Sequence, residues 1–279
     1  MDTLSQRITL VRTEAERLQD YLAALSPTAW HHPSACVGWE VGDVVAHLTR
    51  GAEAYIEWIT RGLRGDTAAP ARAVTAAPDN AITSTARRAQ RAIAIRLRLG
   101  DQLFPTFQAR TAQFHNFLMS LNATDWERRG YHPTGLQPVW RFVDLYITEL
   151  SMHGWDIQSR LESVAYLSPE SLPVFLDFMP DLMRSIFHPG PRLSAPLRYR
   201  FVLTDRVLPV YDIVITGEQA RLAQDGTEPA QSTCQSDTET FVLLMFGRLS
   251  LPVALAQGRM RMEGNRESTS AFAQWFRGV

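Results

Sequence analysis

Arg141-Phe-Val-Asp-Leu-Tyr-Ile-Thr-Glu-Leu-Ser-Met-His-Gly-Trp-Asp156 is the stretch from which the rest of the chain is read. Val139, Phe142, Val143, Tyr146, Leu150, Gly154, Ile157 and Leu161 recur mostly in steps of three and four, which predicts an amphipathic helix over about 137–161. Glu149 and His153 stand four residues apart, so a helix stacks them on one face. Both lie on or beside the apolar stripe. A carboxylate facing a core is costly unless it is paired or binds a metal.

Around this helix the sequence reads as two parts. Helices are expected over 3–25, from about Glu40 to Leu63, over 81–121 with a break at Pro105, and from Ser168 to near Phe187. Residues 64–80, rich in Gly, Ala, Pro, Asp and Asn, read as a mobile loop. After the Pro/Gly cluster His188-Pro-Gly-Pro191 the pattern changes. Leu197–Thr204 and Val207–Thr216 are β-branched and aromatic, as strands are. Weaker strands flank a turn at Asp225-Gly226, and short helices and one more strand follow to the end. The expected domains are therefore 1–189, all helical, and 190–279, α+β.

Bulk composition removes several classes of function. With 279 residues, 45% hydrophobic and 20% charged, the chain has ordinary globular composition. Its formal net charge of -1 leaves no electrostatic footprint for nucleic acid. No lysine occurs among the 28 basic residues, which excludes lysine Schiff bases, pyridoxal-phosphate anchoring and a P-loop. Cys36 and Cys234 form no C-x-x-C pair. The polar start and the lack of any long apolar run imply no membrane span and a cytoplasmic location. No dinucleotide fingerprint and no G-x-S-x-G elbow occurs.

Three residues could converge: His47 on the second helix, with Glu149 and His153 on the later one. Helical bundles build metal sites from inward-facing side chains on different helices. Two imidazoles and a carboxylate suit a divalent ion such as zinc and leave one position open. By spacing alone, a hydrogen-bonded His–Glu pair that only stabilises packing, with His47 a boundary residue, is the favoured reading. Asp43, four before His47, and Asp156, three after His153, could each orient a ligand imidazole. Cys36 reads as an inert thiol because no basic residue neighbours it in sequence. His31, His32, His115, His132 and His188 show no ligand spacing and read as surface or satisfied histidines.

Two motifs carry a family resemblance. Cys36-Val-Gly-Trp39-Glu-Val-Gly-Asp43-Val-Val-Ala-His47-Leu48 resembles the start of the second helix in the mycothiol-dependent maleylpyruvate isomerase family of DinB-like metal-binding bundles, and Glu149-Leu-Ser-Met-His153-Gly-Trp-Asp156 resembles that family's later ligand helix. The C-terminal stretches Phe241–Ser250 and Ala256–Gly264 resemble sterol-carrier-protein-2-like domains. The resemblance implies an up-down four-helix bundle followed by an α+β domain, with His47, Glu149 and His153 as metal ligands. It implies a thiol-dependent isomerase or S-transferase acting on a small electrophilic or carboxylated substrate, with zinc and a low-molecular-weight thiol as cofactors. A metal-dependent hydrolase, or a carrier of an apolar ligand in the C-terminal domain, are the alternatives. The chain would act as a monomer or homodimer. Arg248, Arg259 and Arg261 are candidates to grip a substrate carboxylate.

Overall fold

The computed structural model describes residues 3–70, 81–206, 210–223, 226–264, 266–276 and 278. The chain forms two compact units, 1–171 and 172–279. Residues 71–80 of the expected loop, residues 207–209 of an expected strand and Asp225 of the expected turn lie outside the described residues.

The first unit is helical. Helix α1 spans Thr3–Ala23, α2 Val41–Leu63, α3 Ala81–Leu99, α4 Leu103–Met119 and α5 Val139–Leu161. α1 packs against α4 and α5, and α2 packs against the same two, so four long helices enclose one core. α3 lies against α2. At the middle of the core Tyr55, Phe114, Phe142 and Tyr146 meet edge to face, with Phe114 and Tyr146 centroids 4.8 Å apart.

The break in the third helical stretch falls at Gly100 rather than at Pro105. Gly100 takes φ +51°, which any other residue resists, whereas Pro105 sits in the first turn of α4, where its missing N–H has no intrahelical role. Between α4 and α5 a two-stranded hairpin pairs β1 (Arg129–Gly130) with β2 (Gln137–Pro138).

The second unit begins with α6, Leu172–Ile186. The sequence expectation places this helix in a first domain ending at 189. Phe175 packs edge-on to Phe246 at 5.2 Å, so the apolar face of α6 belongs to the C-terminal core. Ser168 ends up four residues before the helix, donating its hydroxyl to Glu14 in the first unit. The sheet has the order β5-β4-β3-β6-β7, with β3 (Leu197–Leu203), β4 (Val210–Ile215), β5 (Ala220–Ala223), β6 (Ser232–Ser236) and β7 (Met260–Gly264). β3 and β6 are parallel and the other neighbours antiparallel. Helices α7 (Thr238–Met245), α8 (Leu251–Ala256) and α9 (Arg266–Trp275) complete the unit.

Alternation along β3 sends Tyr199, Phe201 and Leu203 into the core, where Phe201 meets Phe241 of α7 and Phe272 of α9. Arg198 and Arg200 point to the opposite face, where both bind the buried Asp212 carboxylate.

Candidate metal centre

α2 and α5 lie side by side, so residues facing inward on one oppose residues facing inward on the other. The helices bring His47, Glu149 and His153 together. His47 Nε2 lies 2.8 Å and His153 Nε2 3.3 Å from the same Glu149 Oε2. The two imidazole centroids are 4.9 Å apart and nearly perpendicular. Side-chain exposures of 24% for His47, 37% for Glu149 and 14% for His153 leave one side of the group open.

The Glu149 carboxyl is held well below the usual carboxylate range. Burial alone would raise it, but the neighbouring His47 and the hydrogen bonds from His153 and His47 outweigh that effect. His153 is held well above the usual imidazole range. Burial opposes this, and hydrogen bonds with Asp156, Cys36 and Glu149 prevail.

Zinc–nitrogen bonds of about 2.0–2.1 Å in a tetrahedron place neighbouring ligand atoms ~3.3 Å apart. The two nitrogen–oxygen separations, 2.8 and 3.3 Å, lie within about half an ångström of that spacing, and all three ligand atoms lie within 4.8 Å of one another, a donor set of a kind that divalent ions take.

The orienting carboxylate for His153 is Asp156, fully buried, which accepts from Nδ1 at 2.9 Å. That bond leaves Nε2 facing Glu149. Asp43 has a different task. It closes the capping box of α2 by accepting from Glu40 N at 2.9 Å and pairs with Arg96 at 2.7 Å.

Cys36 is not isolated as the sequence suggested. Its Sγ donates to Asp156 Oδ2 at 3.1 Å and lies 3.6 Å from His153 Nδ1. The loop that delivers it is pinned at several points. Ser34 N–H donates to Trp39 O at 2.8 Å, Gly38 turns at φ +79°, and Ala35 N–H donates to Asp156 O at 2.8 Å. Trp39 follows as a wall, edge-on to His47 at 5.3 Å and stacked on His153 at 6.3 Å. Both cysteines are free thiols, and burial pushes Cys234 up to about 12.

The model of the mycothiol maleylpyruvate isomerase N-terminal domain matches residues 11–158, just over half of the chain. The chain belongs to that family. Residues 194–277 match the SCP-2 sterol transfer family, which agrees with the α+β unit of a maleylpyruvate isomerase family member with a sterol-carrier-like C-terminal part. Among solved structures, the mycothiol-dependent maleylpyruvate isomerase is similar at TM-score 0.60 and 14% identity over 90% of this chain and 91% of that one. A histidine-to-alanine mutant of that enzyme gives 0.59 and 14% over 89% and 91%. At that identity the likeness establishes the fold. A search of curated proteins by sequence found no match. No described helix is long and apolar enough to cross a membrane.

The candidate carboxylate-binding arginines of the second unit are already engaged there. Arg248 donates to Phe246 O at 3.1 Å, and Arg259 to Thr240 Oγ1 at 3.2 Å and Glu239 at 3.5 Å. Arg261 is exposed on β7.

His132 is a residue that sequence spacing missed. Its ring, on the β1–β2 connection, is wedged edge-on against Tyr55, Trp58 and Phe142 at 5.7–5.9 Å. Burial lowers its pKa to about 4, and the Glu149 charge pulls weakly the other way. Nothing in the run Tyr131-His-Pro-Thr-Gly135 marks it beforehand, because the packing partners come from two other helices.

Proposed function

We propose that this chain is a divalent-metal-dependent enzyme that uses a low-molecular-weight thiol to isomerise, or to transfer a sulfur onto, a small electrophilic or carboxylated substrate. The observation that carries the reading is the meeting of His47 Nε2, Glu149 Oε2 and His153 Nε2 from two facing helices, with one side left open. His47, Glu149 and His153 would hold the ion, with zinc the metal that best suits two nitrogens and one oxygen. When bound, a divalent ion supplies Lewis acidity that lowers the pKa of a thiol or water beside it.

The remaining tasks belong to the chain itself. Asp156 fixes the proton of His153 on Nδ1 and keeps Nε2 directed at the centre. Trp39 covers one flank and restricts water there. With water in place of a thiol the same residues would serve hydrolysis, and dependence of turnover on added thiol separates the two. Family membership supports the isomerase side of this choice.

Elemental mass spectrometry of wild type beside His153→Ala tests the reading. About one equivalent of divalent metal in wild type, lost in the variant, supports it. Absence of metal from both after zinc is supplied overturns it. The SCP-2 match also favours an apolar ligand in the second unit, which solvent extraction and lipid mass spectrometry of the purified protein would detect.

A further inference from the structure

His153 has a carboxylate on each side of its ring. Glu149 Oε2 lies 3.3 Å from Nε2, and Asp156 Oδ2 lies 2.9 Å from Nδ1. The Nε2 side belongs to the candidate metal centre. The Nδ1 side carries a further donor, Cys36, whose Sγ lies 3.1 Å from Asp156 Oδ2 and 3.6 Å from His153 Nδ1. Orienting the imidazole takes the carboxylate alone, so the thiol on the same oxygen has no part in that task.

The three atoms are spaced as ligands. A tetrahedral zinc-sized ion, with bonds of about 2.3 Å to sulfur and about 2.0–2.1 Å to nitrogen and oxygen, sets sulfur ~3.6 Å from either light atom and nitrogen ~3.3 Å from oxygen. The observed 3.6, 3.1 and 2.9 Å lie within about half an ångström of those values, and all three atoms fall within 4.8 Å of one another. The group is also held in place and reachable. Asp156 is fully buried on α5, and the loop that carries Cys36 is tied to it by the Ala35 N–H bond to Asp156 O at 2.8 Å. Cys36 N donates to Ser34 Oγ at 3.2 Å, which fixes the start of the turn. Cys36 itself is half-buried, and Val37 beside it is 98% exposed, so the outer side of the loop meets water.

We propose that Cys36 Sγ, Asp156 Oδ2 and His153 Nδ1 form a second metal site, for a thiophilic cation, which competes with the first site for the one ring. A thiolate selects softer ions than the two imidazoles and carboxylate of the first site do. A neutral imidazole has a single ring lone pair to give. When Nδ1 binds a cation, the ring proton sits on Nε2, where Glu149 Oε2 accepts it, and the thiol proton leaves to solvent. The first site then keeps only His47 and Glu149, one ligand short of the three that a catalytic zinc site has. A thiophilic cation at the second site therefore expels metal from the first. The second site stands independent of the function proposed above, and only the expulsion rests on that reading.

The test is titration of the full chain with cadmium(II), followed by thiolate-to-metal charge-transfer absorption in the ultraviolet. Bound cadmium and zinc are counted by elemental mass spectrometry after desalting. The absorption should arise in wild type, in Cys234→Ser and in His47→Ala, and be absent from Cys36→Ser. In the His47→Ala background, where the first site lacks a ligand, Cys36→Ser should weaken cadmium by more than the about 10- to 100-fold that follows loss of a group merely supporting a ligand. In zinc-loaded wild type one zinc should leave for each cadmium bound. No thiolate absorption in wild type, or the same absorption in Cys36→Ser, overturns the site. Cadmium bound through the thiolate with zinc fully retained overturns the competition for one ring. Wild type that takes no zinc yet shows the thiolate absorption supports the second site and defeats the function proposed above. Should Cys36→Ser fail to fold, Cys36→Ala carries the same comparison.

Discussion

Asp156 joins two side chains of different origin. It receives the His153 Nδ1 proton and the Cys36 thiol on one oxygen, Oδ2. Removing a carboxylate that orients a ligand imidazole typically weakens metal affinity about 10- to 100-fold. Asp156→Ala should show that loss in competition with a chromophoric chelator. Cys36→Ser, which keeps a hydroxyl donor for Asp156, should stay within about threefold of wild type. Equal affinities in Asp156→Ala and wild type would remove Asp156 from the site.

His132 gives a pH prediction at the same scale. Its folded pKa of about 4 lies below the value near 6.5 of an unfolded histidine. Above pH 6.5 both states are neutral and the contribution is complete. As the pH falls toward 4, the unfolded chain takes up a proton that the folded chain refuses, and stability declines by ~3 kcal/mol. Urea titrations at pH 7 and pH 4.5 should differ less in His132→Phe than in wild type.

At the scale of elements, α2 is held at both ends by contacts that single substitutions can break. Arg96 of α3 reaches back to Asp43 at 2.7 Å and Glu40 at 3.0 Å and so fastens the α2 N-terminus. Asp43 is buried, so Arg96→Ala strands a carboxylate and should cost about 2–4 kcal/mol in denaturant unfolding. At the other end Gly62 faces the hairpin. A Cβ there would lie 2.4 Å from Arg129 O and 2.8 Å from Gly130 Cα, both backbone atoms. Gly→Ala in a helix ordinarily stabilises, yet Gly62→Ala should destabilise by roughly 1–3 kcal/mol because the backbone cannot give way cheaply. A melting temperature equal to or above wild type would contradict that packing.

For the whole molecule, two compact units predict that a metal in the first stabilises that unit alone. Six of the seven tryptophans (all but Trp275) lie in residues 1–171, so tryptophan fluorescence follows the first unit. Free zinc at about 100 times its dissociation constant adds ~2.7 kcal/mol. Chelator should therefore lower the fluorescence midpoint by roughly 5–10 °C in wild type and leave His153→Ala unmoved.

Helical periodicity placed His47 on one inward stripe and Glu149 and His153 on another, because side-chain direction within a helix follows from local geometry alone. The same local rules separated the helical part from the α+β part. The motifs around His47 and Glu149 carried the family, which residues 11–158 match. What the sequence could not contain was the company that side chains keep across the fold. Cys36 reaches Asp156 only because its loop is tied to α5, and His132 meets Trp58 and Phe142 only because a hairpin closes over two helices. Asp43 and Asp156 look alike in spacing, yet one caps a helix and the other steadies an imidazole. α6 is amphipathic by itself, and the aromatic side chain of Phe246 decided which core it joined. Periodicity fixes which way a residue points from its own axis, and only the packing of axes and loops fixes what lies there to meet it.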